Sequence, residues 1–472
     1  MKALVKTRKD ITVKLAKAVM ILVFLIYAIY SVIYAIQVKG NVRCFGVSFL
    51  YQEGFAQEHQ KANMLLFVGF IIISVASYLI IAFKDTSQTK SDIKKSCIFI
   101  AIIAILSGLI LPNNSSDVYY YIAAGRIDSM YGYNMYENNF DKVQAGIQED
   151  DIIKNAPGIK HKFIYGVIWA EICRAIGAIP TNSEVVLIYI FKMCNIIVHL
   201  INAYLIYKIS KNKKLMYLYA LNPLVLFEGI INCHNDIFLI LCVLLAVYLK
   251  KKDKIGLATL CITCGTLIKY TPIIVLPYIF SDKKFKEKLK YVAEFAVVFV
   301  LANWLVTGDI TKILSVMDQT GRFANSMYLQ LVLLDVPWNI IDVVTLTGKV
   351  IFCIIFGYAV LSKHGKSGRT YLYLLMAFIV LAITNFRAWY ILWLFGLITE
   401  VKGKDIERLV VLSIIIEFSN YVIYYFGESY VYGGFYFFSV VVYCGIYLIA
   451  SEYLEQKSKR KKEITKWRNY YL

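Results

Sequence analysis

Apolar runs of 14 to 23 residues recur along the whole chain, separated by short polar or charged intervals. A helix that crosses a bilayer needs about 20 such residues. The pattern predicts an all-α, polytopic membrane protein, a single integral membrane domain over 1–472. About twelve crossings are expected, near 18–38, 62–83, 96–112, 185–207, 215–231, 236–249, 289–306, 349–362, 370–385, 388–400, 409–426 and 433–450. Some runs are short: at a rise of 1.5 Å per residue, a 14-residue helix reaches only about 21 Å. Those helices must borrow flanking residues or sit in a locally thin bilayer. The first run, Ala18 to Lys39, follows a basic stretch, but its length and lack of a small-x-small cleavage site predict an uncleaved anchor.

Segment 255–280 breaks the pattern. It reads apolar, then Lys269-Tyr270-Thr271-Pro272, then apolar again, with basic loops on both sides. A proline removes a backbone donor and disfavours helix in the residue before it. Both flanking loops stay on one side if the segment is a re-entrant pair broken at Pro272, with Lys269 at its tip. Two long loops are expected on the opposite face, at 113–184 and 307–348, the first carrying helices that lie in the interface. Their aromatic content argues against disorder.

Charge then orients the chain. Net charge is +19, from 51 Lys and Arg against 32 Asp and Glu. One alternating set of loops, including the basic tail 451–472, holds 36 basic and 12 acidic residues, or +24; the other set holds 12 and 17, or −5. The positive-inside rule places both termini in the cytoplasm and the long loops outside the cytoplasmic membrane. The basic loops therefore read as topology signals facing anionic headgroups, with no nucleic acid needed to explain them. Lys192, Lys269 and Lys349 fall within helices or at their edges. The ten cysteines show no useful spacing; Cys261 and Cys264 form a CxxC, but inside an apolar helix.

Polar residues interrupt the apolar runs at four places on the outer face. An ionised side chain at mid-bilayer costs roughly 2.5–3.5 kcal/mol on insertion scales, so such residues sit at the water boundary or line a cavity. Asp117 follows the third crossing, where Ser115 or Ser116 can cap a helix beginning near Val118. A helix N-terminus favours its carboxylate form. His234-Asn235-Asp236 lies between two close crossings and reads equally as a polar turn. Lys269 sits at the proline break, and Asn385-Phe386-Arg387-Ala388-Trp389-Tyr390 fills a near-absent loop. A cation at either place can reach headgroups or bind phosphate. There is no phosphate-binding glycine loop, no Ser-His-Asp set and no HExxH zinc motif.

These residues are similar to a known group. Asn114-Ser115-Ser116-Asp117-Val118-Tyr119-Tyr120-Tyr121, followed by Gly125-Arg126 and Gly132-Tyr133-Asn134-Met135-Tyr136, resembles the first-loop signature of GT-C glycosyltransferases. The resemblance is closest to bacterial polyprenyl-phosphate-mannose-dependent mannosyltransferases and the PIG-M group. Asn222-Pro223-Leu224-Val225, His234-Asn235-Asp236, Lys269-Tyr270-Thr271-Pro272 and Arg387-Ala388-Trp389-Tyr390 continue it in order, over roughly 95–400. Asn134-Met135-Tyr136 and Tyr165-Gly166-Val167 depart from the usual Asn-Pro-Tyr and Tyr-Gly-Pro. Both departures lie in the loop expected to shape the sugar and acceptor pockets.

The resemblance implies a GT-C-like fold and an inverting hexosyl transfer, plausibly of mannose, outside the membrane. The donor would be a polyprenyl-phosphate sugar and the acceptor a glycan or glycolipid, with no metal or other cofactor. Asp117 would be the general base, and Lys269 and Arg387 would hold the donor phosphate. His234, Asn235, Asp236, Tyr119, Tyr120, Arg126 and Trp389 would contact substrate. A lipid-linked oligosaccharide flippase or transporter, a polysaccharide polymerase and a non-catalytic assembly subunit are the alternatives. The long outer loop carrying Asp117 favours the transferase, and a transporter would show repeated halves and a midplane site.

Overall fold

The computed structural model describes residues 2–37, 55–112, 115–137, 147, 149–154, 156, 162–309, 311 and 326–426. The expected crossing near 433–450, the tail 451–472, Asn114 and parts of both long loops lie outside them. The described residues form helices and no strand.

Helices α1 (Lys2–Gln37), α2 (Phe55–Lys84) and α3 (Lys90–Leu109) open the chain and pack together. Aromatic rings fill the seam: Tyr27 stacks on Phe70 at 4.4 Å, and Phe24 meets Phe70 edge-on at 4.9 Å. Thr89 starts α3 by accepting the Asp92 amide at 3.2 Å. Below them Asp85 takes Lys17 at 2.6 Å and also Lys213, so a half-buried carboxylate ties three parts of the chain at one end of the bundle.

Helices α4 (Asp117–Tyr131) and α5 (Val167–Gly177) belong to the first long loop and lie against each other through glycine. A Cβ on Gly125 would stand 1.9 Å from the Cys173 carbonyl oxygen, and one on Gly177 would stand 2.3 Å from the Arg126 amide nitrogen. Only glycine lets the two backbones approach this closely.

Helix α6 (Glu184–Ser210) crosses the bundle, and α7 (Lys213–Ala220) follows once Asn212 has accepted the Lys214 amide at 2.9 Å. Pro223 then stops the helix. Asn222 bridges the break: its Oδ1 accepts the Leu224 amide at 3.0 Å, and its Nδ2 donates to Ser413 at 2.8 Å and Tyr78 at 3.2 Å. The chain resumes as a π-helical turn, Val225–Ile231, bent by 58° from α7. Such turns are rare and are frequent at functional sites. Cys233 follows with φ 60°, a left-handed conformation that costs a non-glycine residue about 1–3 kcal/mol. It turns the backbone so that His234 precedes α8 (Asp236–Lys250).

Helix α9 (Ile255–Thr266) ends before Lys269, and the chain re-forms as a 3-10 turn, Thr271–Val275, carrying Pro272. The break expected in this segment is therefore present. Its freed carbonyls find donors in the first long loop: the Gly166 amide donates to Ile268 at 2.9 Å and the Ile168 amide to Leu267 at 2.9 Å. Irregular backbone at membrane depth requires such partners. Helices α10 (Phe285–Thr307), α11 (Met327–Leu333), α12 (Trp338–Leu361), α13 (Gly368–Leu381) and α14 (Lys404–Phe426) complete the described bundle.

Among the described residues five helices are long and apolar enough to cross a membrane, or six if the bent pair counts as one span. This is fewer than the twelve expected. The expected crossings near 236–249 and 370–385 exist as α8 and α13, but with 15 and 14 residues they rise only about 21–23 Å. The run near 388–400 is three short pieces, Ala388–Ile391, Leu392–Phe395 and Ile398–Glu400. Apolar periodicity marked these segments as buried, and buried short helices in a packed bundle share that mark with spans.

The glycine contact yields a direct test. Gly125→Val should destabilise the folded protein by about 1–3 kcal/mol or more, because the added carbons meet backbone rather than a side chain that can move. Thermal unfolding in detergent measures it, and a melting point equal to wild type would show that α4 and α5 are not so close.

Candidate active site

Asp117 is the first residue of α4. Ser116 occupies the cap position without a capping hydrogen bond; Ser115, one residue further out, accepts the Asp117 amide at 3.3 Å. The Asp117 side chain is 26% exposed. Its Oδ2 accepts hydrogen bonds from Tyr165 at 3.2 Å and Tyr121 at 3.4 Å, and lies 3.3 Å from Nδ1 of His234. Burial alone would raise its pKa. The neighbouring His234, Arg387 and Lys269 outweigh burial and hold the carboxyl below its ordinary value.

His234 is fully buried between two carboxylates. Nδ1 faces Asp117, and Nε2 lies 3.1 Å from Glu228 of the π-helical turn. The ring lies flat on Trp389, with centroids 3.7 Å apart and planes 20° apart. Burial disfavours the imidazolium, but the two carboxylates prevail and push the pKa up to about 9. A cation over an indole face gains further attraction. Glu228 is held in turn by Asn232 at 3.2 Å and Asn420 at 3.1 Å.

The second cation lies close by. Asp236, fully buried at the start of α8, takes the Lys269 ammonium at 2.8 Å and the indole N–H of Trp393 on its Oδ1. Lys269 stands 4.6 Å from the Tyr390 ring centre and 5.9 Å from that of Tyr165. Arg387 begins the Ala388–Ile391 turn, with its guanidinium 5.9 Å from the Trp389 ring. Asn235 is fully buried beside them, and among the described residues neither of its amide atoms has a hydrogen-bond partner.

Asp117, His234, Asp236, Lys269, Arg387 and Trp389, chosen from distant parts of the sequence, thus meet in one cluster. Three other candidates are engaged elsewhere. Arg126 is buried against Asp150, and donates to the Thr181 carbonyl at 3.0 Å and to Asn182 at 3.5 Å. Tyr120 donates to the Lys162 carbonyl at 3.0 Å and stacks near Phe163. Tyr119 is fully buried. Arg126 and Tyr120 fasten the loop that carries Asp117. Sequence reasoning missed Tyr121, Tyr165, Glu228, Tyr390 and Trp393. Glu228 was detectable as a lone carboxylate in the run 215–231, and Trp393 as an N–H donor four residues after Trp389.

A cavity of about 600 Å³ opens beside the cluster, lined by Tyr165, Lys269, Lys349, Phe352, Phe378 and Trp393 among others. Tyr165 and Lys269 form the wall between it and Asp117. Among the described residues no three His, Cys, Asp or Glu side chains are grouped to hold a metal ion, and Cys261 and Cys264 are free thiols.

An all-helical scaffold with helices apolar enough to span a membrane, gathering a partly exposed ionised acid, several cations and sugar-sized aromatic faces beside a cavity, fits a membrane glycosyltransferase. Residues 20–281, more than half of the chain, match the MptA_B family, described as the N-terminal domain of alpha-(1->6)-mannopyranosyltransferases. The chain belongs to this family of GT-C-type mannosyltransferases. No curated protein and no solved structure matches the chain. The matched span contains Asp117, Glu228, His234, Asp236 and Lys269; Lys349, Arg387 and Trp389 lie beyond it.

An imidazole with a pKa raised by folding contributes stability in full below about 6.5 and loses it as pH rises through about 9. The melting point in detergent should therefore fall between about pH 7 and pH 9. Glu228→Gln removes one of the two carboxylates and should move that fall to lower pH. An unmoved profile would mean that His234 is not the group titrating.

Proposed function

We propose that the chain transfers mannose, with inversion, from a polyprenyl-phosphate donor to a hydroxyl of a glycan or glycolipid outside the cytoplasmic membrane. The observation that carries this reading is Asp117 itself: a partly exposed carboxylate, ionised by its cationic neighbours, directly across Tyr165 and Lys269 from an apolar-walled cavity. The cavity supports a lipid-borne donor, since its Phe and Ile walls suit an isoprenoid chain and its polar rim suits an anionic head. The charge bias of the loops supports an active site facing outside and cytoplasmic termini.

An acceptor hydroxyl seated on Asp117 attacks the anomeric carbon, and the bond from that carbon to the phosphate oxygen breaks. The hydroxyl proton passes to Asp117, and the bonding electrons remain on the phosphate. A carboxylate held ionised is ready for this proton throughout the neutral range. Tyr165 and Tyr121 fix Oδ2, and among the described residues Oδ1 has no hydrogen-bond donor and is left for the acceptor. Arg387 and Lys269 stabilise the charge that develops on the leaving phosphate. Lys269 gives one N–H to Asp236 and has two more to offer. Trp389 backs the imidazolium of His234, whose positive charge adds to the same field.

Membranes containing the protein, supplied with labelled polyprenyl-phosphate mannose and a mannose-bearing acceptor, should transfer label. Asp117→Asn should lower turnover by about 10²–10⁴-fold, the range ordinary for a general base. Tyr165→Phe should cost about tenfold, because it removes one hydrogen bond to a charged group. Unimpaired transfer by a folded Asp117→Asn protein would remove Asp117 from the role of base.

A further inference from the structure

Among the described residues Lys192, Lys269 and Lys349 interrupt apolar stretches, and the first two have partners. Lys192, on α6, is buried and donates to three carbonyls, Ile110 at 2.6 Å, Ile231 at 2.6 Å and Ile230 at 3.3 Å. Lys269 is paired with Asp236 at 2.8 Å. Lys349 has no hydrogen bond or ion pair among the described residues. It lies near the middle of α12, one of the helices able to span the membrane, 11 residues from Trp338 and 12 from Leu361. At 1.5 Å per residue it is about 16–18 Å from either end of that helix.

The rotation of α12 aims this residue inward. A Cβ on Gly348 would stand 1.9 Å from the Tyr328 hydroxyl, which fills the gap and donates to the Leu381 carbonyl. Tyr328 thereby locks α12 against α11 and α13. Lys349, Phe352 and Phe356, at i, i+3 and i+7, then share the face that lines the cavity. Val343, Leu346, Val350 and Ile354 are exposed on the outer side. An intramembrane cation facing a cavity implies an anionic partner. Among the described residues no carboxylate is paired with it, and the phenylalanines beside Lys349 suit a ligand that carries an apolar chain.

We propose that Lys349 binds the phosphate of an isoprenoid carrier lipid whose chain lies against Phe352 and Phe356, and grips it most firmly after the sugar has left. This rests on the proposed lipid-phosphate donor. Transfer converts a phosphodiester with one negative charge into a phosphomonoester that approaches two. Lys269 is already balanced by Asp236 and Arg387 acts on Asp117, so Lys349 is the cavity's cation with no carboxylate beside it among the described residues. The product therefore gains more from Lys349 than the donor does.

Inhibition of transfer by farnesyl phosphate, with farnesol as the uncharged control, tests this on the full-length protein in detergent. The wild type should be inhibited far more by the phosphate than by the alcohol. Lys349→Met should weaken farnesyl phosphate inhibition about tenfold, raise the donor KM by less, and leave farnesol inhibition unchanged. Lys349→Arg should restore the phosphate advantage. Folding is checked by melting point, which removal of an unpaired intramembrane charge should not lower. Unchanged inhibition in a folded Lys349→Met protein would overturn the inference while leaving transfer, and the role of Asp117, intact. Should no lipid-phosphate donor support transfer, a melting-point rise given by farnesyl phosphate still reports on Lys349. An equal rise in Lys349→Met would overturn the inference, and a rise lost in Lys349→Met would sustain it.

Discussion

A charge removed from water must meet its opposite within a few ångströms, and this requirement organises the centre of the molecule. Glu228, His234 and Asp117 form an unbroken line, carboxylate to imidazolium to carboxylate, from the packed interior to a surface that solvent can reach. Asp236, Lys269 and the Trp393 N–H form a second group beside it. Breaking either line would strand a buried ion, which is far more damaging than the net worth of the pair suggests. The surrounding helices are fixed by what these groups need: a π-helical turn to present Glu228, a left-handed Cys233 to turn toward His234, and a broken helix to place Lys269.

The same requirement explains what could be read in the sequence. Charged residues interrupting an apolar chain are rare enough to be informative, and Asp117, His234, Asp236, Lys269 and Arg387 converge. The break at Pro272 was legible because proline leaves few backbone choices. The number of spans was less legible. Apolar runs near 236–249 and 388–400 signal burial, and burial inside a bundle leaves the same trace as burial in lipid. Arg126 shared a motif with Asp117 but lies more than two turns along α4, where it holds Asp150. Tyr165 stood out only as part of an altered triplet; its partnership with Asp117 depends on a fold across 48 residues that no local pattern reveals.

The first long loop and the broken segment after α9 are interdependent. The carbonyls of Leu267 and Ile268 are left open by the end of α9, and Gly166 and Ile168 close them. A Cβ at Gly166 would stand 2.2 Å from the Leu267 oxygen, so the contact admits no side chain. Tyr165, next to that glycine, is thereby delivered to both Asp117 and Lys269. Family membership places mannosyl transfer on this scaffold, and the backbone contact joins the acid to the cation within it.

The bend at Pro223 has a further consequence. Because Asn222 is bonded to Tyr78 and Ser413, the start of the π-helical turn is pinned, and Asp236 pins the far end through Lys269. The thirteen-residue stretch between them works as a ruler of fixed length. Adding or deleting one residue would rotate the downstream backbone by about 100°, swinging the imidazole off the indole. Drift in amino-acid identity is tolerable along that stretch wherever packing allows, whereas a change in its length is not.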